Sequence, residues 1–385
     1  MQLTSRCNGL HRSLTRQLFE MASSYTDIIN LTLGDPDLSV SPVAITAAAD
    51  AMKAGKTHYS TNAGIIELRK KLSEKLEAEY GLHYAPEDEI TVTLGGMEGL
   101  FMALMCLVEK GDEVLMPSPY YPNYIAMVNL VGGTSVTVPM DPENGFKING
   151  KKLVSGITDK TRVIILNTPG NPTGQICDME DLKIIAEAAI KHDIVVIGDD
   201  VYRTLIYDGL EHASIATLPG MKERTMLINS FSKEYSMTGL RVGYAAGNKE
   251  IINCMTLMQE NIASCAATPL QYASLALLND AAQFSKDMKT IFESRRNVLC
   301  AELEKIPGLR FVKPQATFYV FIDVSSYGLK SLDFAKRLLM EKHVAVAPGL
   351  SYGKEYDGYI RIAFTLKEEK LVEAAQRIGE FVKTL

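Results

Sequence analysis

The segment SFSKEYSMTGLRVGY, residues 230–244, sets an amine, several hydroxyls and a guanidinium within twelve residues of one another. It follows TMLIN (225–229), which reads as a buried strand, so Lys233 is expected just past a strand end and inside the protein. Buried lysines are rare unless they are paired or functional. Around Lys233 stand Ser230, Ser232, Thr238 and Arg241, a set suited to holding a phosphate. The chemistry on offer is an amine poised beside a bound phosphate ester.

In a parallel α/β sheet, ligands bind beyond the carboxyl ends of the strands, so the residues following each apolar run are the next candidates. After EITVTL (89–94) come Gly95, Gly96, Met97 and Glu98, opening a helix. Free N–H groups and the positive dipole end at such a start suit a phosphate, although a Gly-Gly pair also serves ordinary tight turns. After TRVIILN (161–167) comes TPGNPTG (168–174), with Asn171 at the tip of a loop too constrained for a simple connection. After DIVVIG (193–198), DDVY (199–202) brings two acids to a strand end. Asp200 alone would serve as a helix cap, but two adjacent acids make one of them a candidate partner for a buried cation. A metal is the competing partner, yet no histidine or further carboxylate accompanies them. Arg361 lies inside GYIRIAFT (358–365), an otherwise apolar strand, as a structural ion-pair partner or as a planar receptor for a carboxylate.

A phosphate cradle, a buried amine, a buried carboxylate, a constrained asparagine loop and a carboxylate-binding arginine are the parts of a pyridoxal 5′-phosphate site. The aldehyde of that cofactor would form a Schiff base with Lys233, and a carboxylate would keep its ring nitrogen protonated. The ring would then serve as an electron sink for the carbanion formed at a substrate α-carbon.

The elements that must position these groups alternate. Strands are expected at 89–94, 112–117, 133–139, 161–167, 193–198, 225–230 and 241–247, several of them continuous apolar runs as in a parallel sheet covered on both faces. Helices such as 99–111 and 179–193 lie between them, which predicts a doubly wound α/β domain. From about residue 250 a long helical region leads into LRFVKPQATFYVFIDV (309–324), HVAVAPG (343–349) and 358–365. These three strands, with helices at 331–342 and 367–385, read as a smaller α+β domain. The expected division is a large domain over 45–270 and a small one formed by 1–44 and 271–385.

A chain of 385 residues buries a substantial core without disulfides. Its net charge of −6 argues against nucleic-acid or anionic-membrane partners. Cys7, Cys106, Cys177, Cys254, Cys265 and Cys300 form neither a C-x-x-C pair nor a metal-ligand cluster, and they read as small apolar residues in a reducing cytosol. The basic start, MQLTSRCNGLHRSLTRQLFE, reads as an amphipathic helix carrying Leu10, Leu14, Leu18 and Met21 rather than as a transit peptide. No apolar run approaches the ~20 residues of a membrane span, so a soluble cytoplasmic protein is expected.

At this point the sequence closely resembles the class I pyridoxal-phosphate aminotransferases of fold type I, the aspartate aminotransferase superfamily, from about Arg6 to the C-terminus. The most specific match is SFSKEYSMTGLRVGY to the family pattern S-x-S-K-x-x-x-x-x-G-x-R-x-G; NLTLGDPDL (30–38), HYSTNAGIIELR (58–69), PSPYYPNY (117–124), NTPGNPTG, DDVY and YIRIAF also match, in family order. The resemblance implies a mostly parallel seven-stranded sheet in the large domain. It implies that Lys233 is the Schiff-base lysine and moves the proton between the α-carbon and cofactor C4′. Asp199 would pair with the ring nitrogen, Asn171 and Tyr202 with the ring hydroxyl. Gly95, Gly96, Met97, Ser230, Ser232 and Arg241 would form the phosphate site, and Tyr121 would stack on the ring, where many aspartate aminotransferases carry tryptophan. Tyr59 would reach the phosphate of a neighbouring subunit, which implies a homodimer with shared sites. Arg361, with Asn171 and the backbone of Gly34, would hold the substrate α-carboxylate.

Met97 stands where one aspartate-specific branch carries lysine, so an acidic side chain loses an obvious partner there. Side-chain specificity is expected from the N-terminal segment, the 120s and the partner subunit, with Tyr25, Tyr120 and Tyr124 as candidates. The main alternative is a β- or γ-eliminating lyase of the same fold. Close relatives of that kind usually carry N-P-H-N-P where this chain has TPGNPTG, which favours transamination. A regulatory module fused to a DNA-binding domain lacks its extension here, and a non-catalytic relative would be expected to have lost Lys233, Asp199 or Arg361.

Overall fold

In the computed structural model, which describes residues 10 and 12–385, the alternating runs assemble into one seven-stranded sheet. After a short β1 (Ile29–Asn30), its strands are β2 (Ile90–Thr93), β3 (Glu113–Ser118), β4 (Thr134–Pro139), β5 (Thr161–Asn167), β6 (Val195–Asp199), β7 (Thr225–Ser230) and β8 (Gly243–Ala246). Their order across the sheet is β2-β8-β7-β6-β5-β3-β4. Only β8 runs antiparallel to its neighbours, β2 and β7; the β3–β4, β3–β5, β5–β6 and β6–β7 pairs are parallel.

The continuous apolar strands follow from burial on both faces. Val163 and Ile165 of β5 pack with Val114, Met116, Ile197 and Met226 on one side, while Ile164 and Leu166 pack with Leu115, Leu182 and Val196 on the other. Side chains alternate with a period of two, so a strand covered twice must be apolar at every position. The helices Gly96–Leu107 and Lys249–Ile262 supply Leu100, Met102, Ile252 and Met255 to the first layer.

A second, four-stranded antiparallel sheet runs β12-β13-β10-β9, built from β9 (Arg310–Phe311), β10 (Tyr319–Asp323), β12 (Ala347–Pro348) and β13 (Tyr359–Ala363), while β11 (Val344–Ala345) pairs with β1 in parallel. Helices Ala282–Leu303, Ser331–Lys342 and Glu368–Val382 bury Phe292, Phe334, Leu338, Leu371, Ile378 and Phe381 against it. The apolar positions of the last helix, 371, 374, 375, 378, 381 and 382, follow the spacing of one helix face.

Several element boundaries differ from expectation. The helical region from 250 to 305 is three helices, Lys249–Ile262, Thr268–Asp280 and Ala282–Leu303. The run 309–324 is two strands, because Pro314 has no N–H for a ladder and residues 312–318 loop out toward the large sheet, where Ala316 N–H donates to Gly174 C=O and Thr317 N–H to Leu205 C=O, both at 2.8 Å. The run 343–349 likewise divides between two sheets. The first helix covers Leu14–Ala22 and buries Leu18 and Ala22; Leu10 precedes it and is exposed, as is Met21. Cys7, Arg6 and the other residues of 1–9 lie outside the described residues. The expected domain join at 270 falls inside Thr268–Asp280, whose Ala273 and Leu277 pack with Leu68, Leu72 and Val92 beside the large sheet.

Candidate active site

At the C-terminal ends of β5, β6 and β7 the sheet opens on to a cavity of about 570 Å³, a size that suits a cofactor with a small substrate. Its lining includes Gly34, Gly96, Met97, Tyr121, Asn171, Asp199, Tyr202, Ser230, Ser232, Lys233, Arg241 and Arg361. These residues span more than three hundred positions of sequence and meet in one place.

Lys233 stands on the short helix Phe231–Glu234 that follows β7 directly. Expected to be buried, it is half-buried, because its side chain opens on to the cavity. Its Nζ donates to the Gly34 carbonyl at 2.6 Å. Enclosure by protein lowers the amine to about 8, with Asp35 acting the other way and Arg361 and Arg241 reinforcing the shift. The neutral, nucleophilic amine is therefore the main form above pH 8, well below the usual lysine range. Capture of pyridoxal phosphate by the apoprotein is expected to accelerate as pH rises through about 8 and to level off above it. Stopped-flow absorbance at the visible band checks this, and a rate still climbing near pH 10 would contradict it.

Asp199 ends β6, one strand away, and is buried. Tyr124 donates to its Oδ2 at 2.5 Å, while its Oδ1 has no hydrogen-bond partner among the described residues. Burial pushes the carboxyl up to about 6, against the opposing Tyr124 hydrogen bond. A buried, unsatisfied carboxylate oxygen is costly, and a cationic ring nitrogen is a partner of the right charge. Asp200 is not a helix cap: it faces the other side of the sheet, where its Oδ2 accepts from Tyr80 at 3.0 Å and lies 3.1 Å from His212 Nε2.

Gly95 adopts φ +79 ahead of the helix Gly96–Leu107; a Cβ there would lie 2.5 Å from Arg241 Nη2. A Cβ on Gly243 would lie 2.6 Å from the Gly95 carbonyl carbon. These close approaches set Arg241, itself at φ +55, beside the helix start, where its Nη1 donates to Thr238 C=O at 2.8 Å. Gly95 itself does not line the cavity. Ser230 Oγ lies 2.9 Å from Ser232 Oγ and accepts the Ser232 N–H at 3.1 Å. An open helix start, two hydroxyls and a guanidinium fit a phosphate.

On the facing side, Arg361 of β13 donates from Nη1 to Asn171 Oδ1 at 3.0 Å and from Nη2 to the Thr32 carbonyl. Its guanidinium lies 4.1 Å from the Tyr319 ring centroid, and its buried Nε has no partner among the described residues. Tyr202 and Tyr319 hydroxyls are 3.1 Å apart. Tyr121 stands beside Met97, its hydroxyl 3.7 Å from the sulfur. Tyr59 lies away from the cavity of its own chain and is 84% exposed. Of the three tyrosines named for specificity only Tyr124 lines the cavity, and its hydroxyl is committed to Asp199.

Further residues line the cavity beyond those expected from sequence. Asn167 accepts the Asn171 N–H on its Oδ1 at 2.8 Å and donates from Nδ2 to the Asp199 carbonyl at 3.0 Å; as the last residue of β5 it was open to the same strand-end rule. Tyr319, Tyr352, Arg12 and Arg16 reach the cavity from the N-terminal segment and the small sheet, and no local pattern marks them.

A sequence profile for aminotransferase class I and II matches residues 26–378. The chain is 38% identical over 385 residues to the aspartate aminotransferase of Pyrococcus abyssi, covering 100% of this chain and 99% of that protein. It is 37% identical to aromatic-amino-acid aminotransferase 2 of Thermococcus litoralis, with the same coverage. Among solved structures, the aspartate aminotransferase from Thermus thermophilus with maleate superposes at a TM-score of 0.94, with 34% identity and all of both chains covered.

Proposed function

The chain belongs to the class I and II aminotransferases, and from that premise we propose how its residues divide the work and which substrates they accept. It is a pyridoxal-phosphate-dependent transaminase moving the amino group of an L-amino acid to a 2-oxo acid. When bound, the cofactor supplies an aldehyde for amines and a ring that takes up the electron pair left at the α-carbon. The observation that carries the residue assignment is the pairing, on adjacent strand ends, of a low-pKa amine with a buried carboxylate whose Oδ1 lacks a hydrogen-bond partner among the described residues.

Lys233 would hold the cofactor and, once released, carry the proton between the substrate α-carbon and C4′. Asp199 would pair with the ring nitrogen through Oδ1, while Tyr124 keeps Oδ2 occupied. Asn171 and Tyr202 would take the ring hydroxyl, and Tyr121 would cover the ring face. The N–H groups of Gly96 and Met97, on the turn that Gly95 allows, would hold the phosphate with Ser230, Ser232 and Arg241. Arg361 would take the substrate α-carboxylate with Asn171 and the Gly34 backbone.

An Arg361→Leu variant is expected to raise KM at least about tenfold with a smaller change in kcat, since each charge-assisted hydrogen bond is worth roughly 1.5–3 kcal/mol. Steady-state kinetics with a fixed acceptor checks it; an unchanged KM would put the carboxylate elsewhere.

One of the two substrates is proposed to be a dicarboxylic acid. Arg12, Arg16, Lys233, Arg241 and Arg361 line the cavity against only Asp35 and Asp199, and Arg12 and Arg16 are exposed. Arg12 is paired with Glu20 at 2.5 Å, so Arg16 is the one proposed to stand in for the cation that Met97 does not supply. Met97, Leu100 and Tyr121 form an apolar wall that suits a larger side chain on the other substrate. The test follows the visible spectrum of the holoenzyme as L-amino acids are added singly without an oxo acid. Bleaching of the yellow band by aspartate or glutamate is expected. A band that persists while ammonia and pyruvate or a thiol accumulate would mean a lyase.

We also propose a cytoplasmic homodimer of two-lobed subunits, with the join placed near Ala281 because Thr268–Asp280 packs with the large sheet. The exposed Tyr59 supports shared sites, and free thiols at the five described cysteines accord with a reducing compartment. A sedimentation mass of one 42.4 kDa chain would rule out the dimer.

A further inference from the structure

Behind Lys233 and Tyr202, on the side away from the cavity, lies a closed ring of four charges. Arg203 follows Tyr202 in the chain, and Glu234 follows Lys233. Their side chains, each 4% exposed, meet with Arg203 Nη2 3.2 Å from Glu234 Oε2. The helix Ile66–Tyr80 supplies the other two members, Lys75 and Glu79, one turn apart. Arg203 Nε donates to Glu79 Oε2 at 2.8 Å, and Lys75 Nζ lies 2.7 Å from Glu79 Oε1 and 3.0 Å from Glu234 Oε1. Arg203 Nη1 also donates to Asn229 Oδ1 at 2.9 Å, near the end of β7. Neither Arg203 nor Glu234 lines the cavity.

Charges buried in this way are a poor source of stability, because desolvation consumes most of their attraction and apolar residues of similar volume would serve as well. What a closed ring with both arginine edges engaged supplies is geometry. The two turns it joins need that. Lys233 stands on a helix of only four residues, too short to hold itself, and Tyr202 lies in an irregular turn after β6. Each is one peptide unit from a member of the pair. Burial by itself would raise the Glu234 carboxyl, but Arg203 and Lys75 hold it below its ordinary range, so Glu234 stays ionised at neutral pH.

We propose that the Arg203–Glu234 pair is a positioning device for transamination, locking the turn that carries Lys233 to the turn that carries Tyr202 and so fixing the amine relative to the tyrosine hydroxyl. This rests on the assignment of Lys233 and Tyr202 to the cofactor. The test uses holoenzymes of Arg203→Gln, Glu234→Gln, the double variant and Arg203→Lys. Three quantities are measured: kcat and KM, the pH midpoint at which the visible band changes without substrate, and the melting temperature.

Each glutamine variant is expected to lose about tenfold in kcat with KM within about twofold, since small displacements at the reacting centre are costly. Its spectral midpoint is expected to move by at least about half a pH unit. The double variant is expected to be no worse than either single one, and Arg203→Lys to recover part of the loss. A lower melting temperature with kcat and spectral midpoint unmoved would overturn the proposal, as would losses that simply add in the double variant. If Arg203→Gln does not fold, the nearly isosteric Glu234→Gln decides by the same two readouts. A wild-type visible band that survives Lys233→Ala unchanged would bring down the underlying site assignment, and this proposal with it.

Discussion

Lys233→Ala is expected to yield a folded protein whose multiple-turnover transamination is down by more than about four orders of magnitude, since covalent capture and proton transfer are lost together. Folding should survive. The lysine side chain opens on to the cavity, and the only hydrogen bond its amine makes among the described residues goes to the Gly34 carbonyl. Losing it costs on the order of 1 kcal/mol, because water in the cavity can replace the donor. Circular dichroism and a coupled assay separate the two effects. Normal turnover in this variant would refute the site assignment at its root, whereas loss of the circular dichroism signal would contradict the small structural cost.

Asp199→Asn is expected to lower kcat by about 10²–10³-fold, the range seen when one preorganised electrostatic partner is removed from a reacting centre. The substitution is nearly isosteric, and Tyr124 can still donate to the amide oxygen, so packing around the site should hold. What disappears is the negative charge. Without cofactor the wild-type carboxyl titrates at about 6, raised chiefly by burial, so it is ionised at neutral pH and protonated below pH 6. Cofactor affinity of the apoprotein should therefore weaken more steeply as pH falls through about 6 in the wild type than in Asp199→Asn, where only the phosphate titrates in that window. Equilibrium binding of pyridoxal phosphate across that range checks both halves. An asparagine variant with wild-type kcat would show that the ring nitrogen has another partner.

The large sheet was legible because its strands are covered on both faces and its ligand groups follow strand ends. TRVIILN and TMLINS coincide with β5 and β7, and Asn171, Asp199 and Lys233 all follow from one topological rule. The small sheet was harder: its strands are two to five residues long, and the loop around Pro314 finds its hydrogen bonds on distant segments. Glu234 lies inside the Lys233 segment and Arg203 directly follows DDVY, yet their partners Lys75 and Glu79 are more than a hundred residues away, so nothing local separates a buried ring from a solvated charge. Asp200 shows the converse. Beside Asp199 it looked like a cap, and only Tyr80 and His212 reveal that it belongs to the opposite face.

The cavity is closed by the two ends of the chain. Lys233 reaches back 199 positions to Gly34, and Arg361 reaches back 329 positions to Thr32, while β1 is held by β11. During synthesis the large sheet has all its covering helices only once Asp280 has emerged, and the wall that carries Gly34 has no small sheet to settle on until residues beyond 361 leave the ribosome. The cofactor-holding strand ends can thus be in place before the wall that carries Gly34 and Arg361 is assembled.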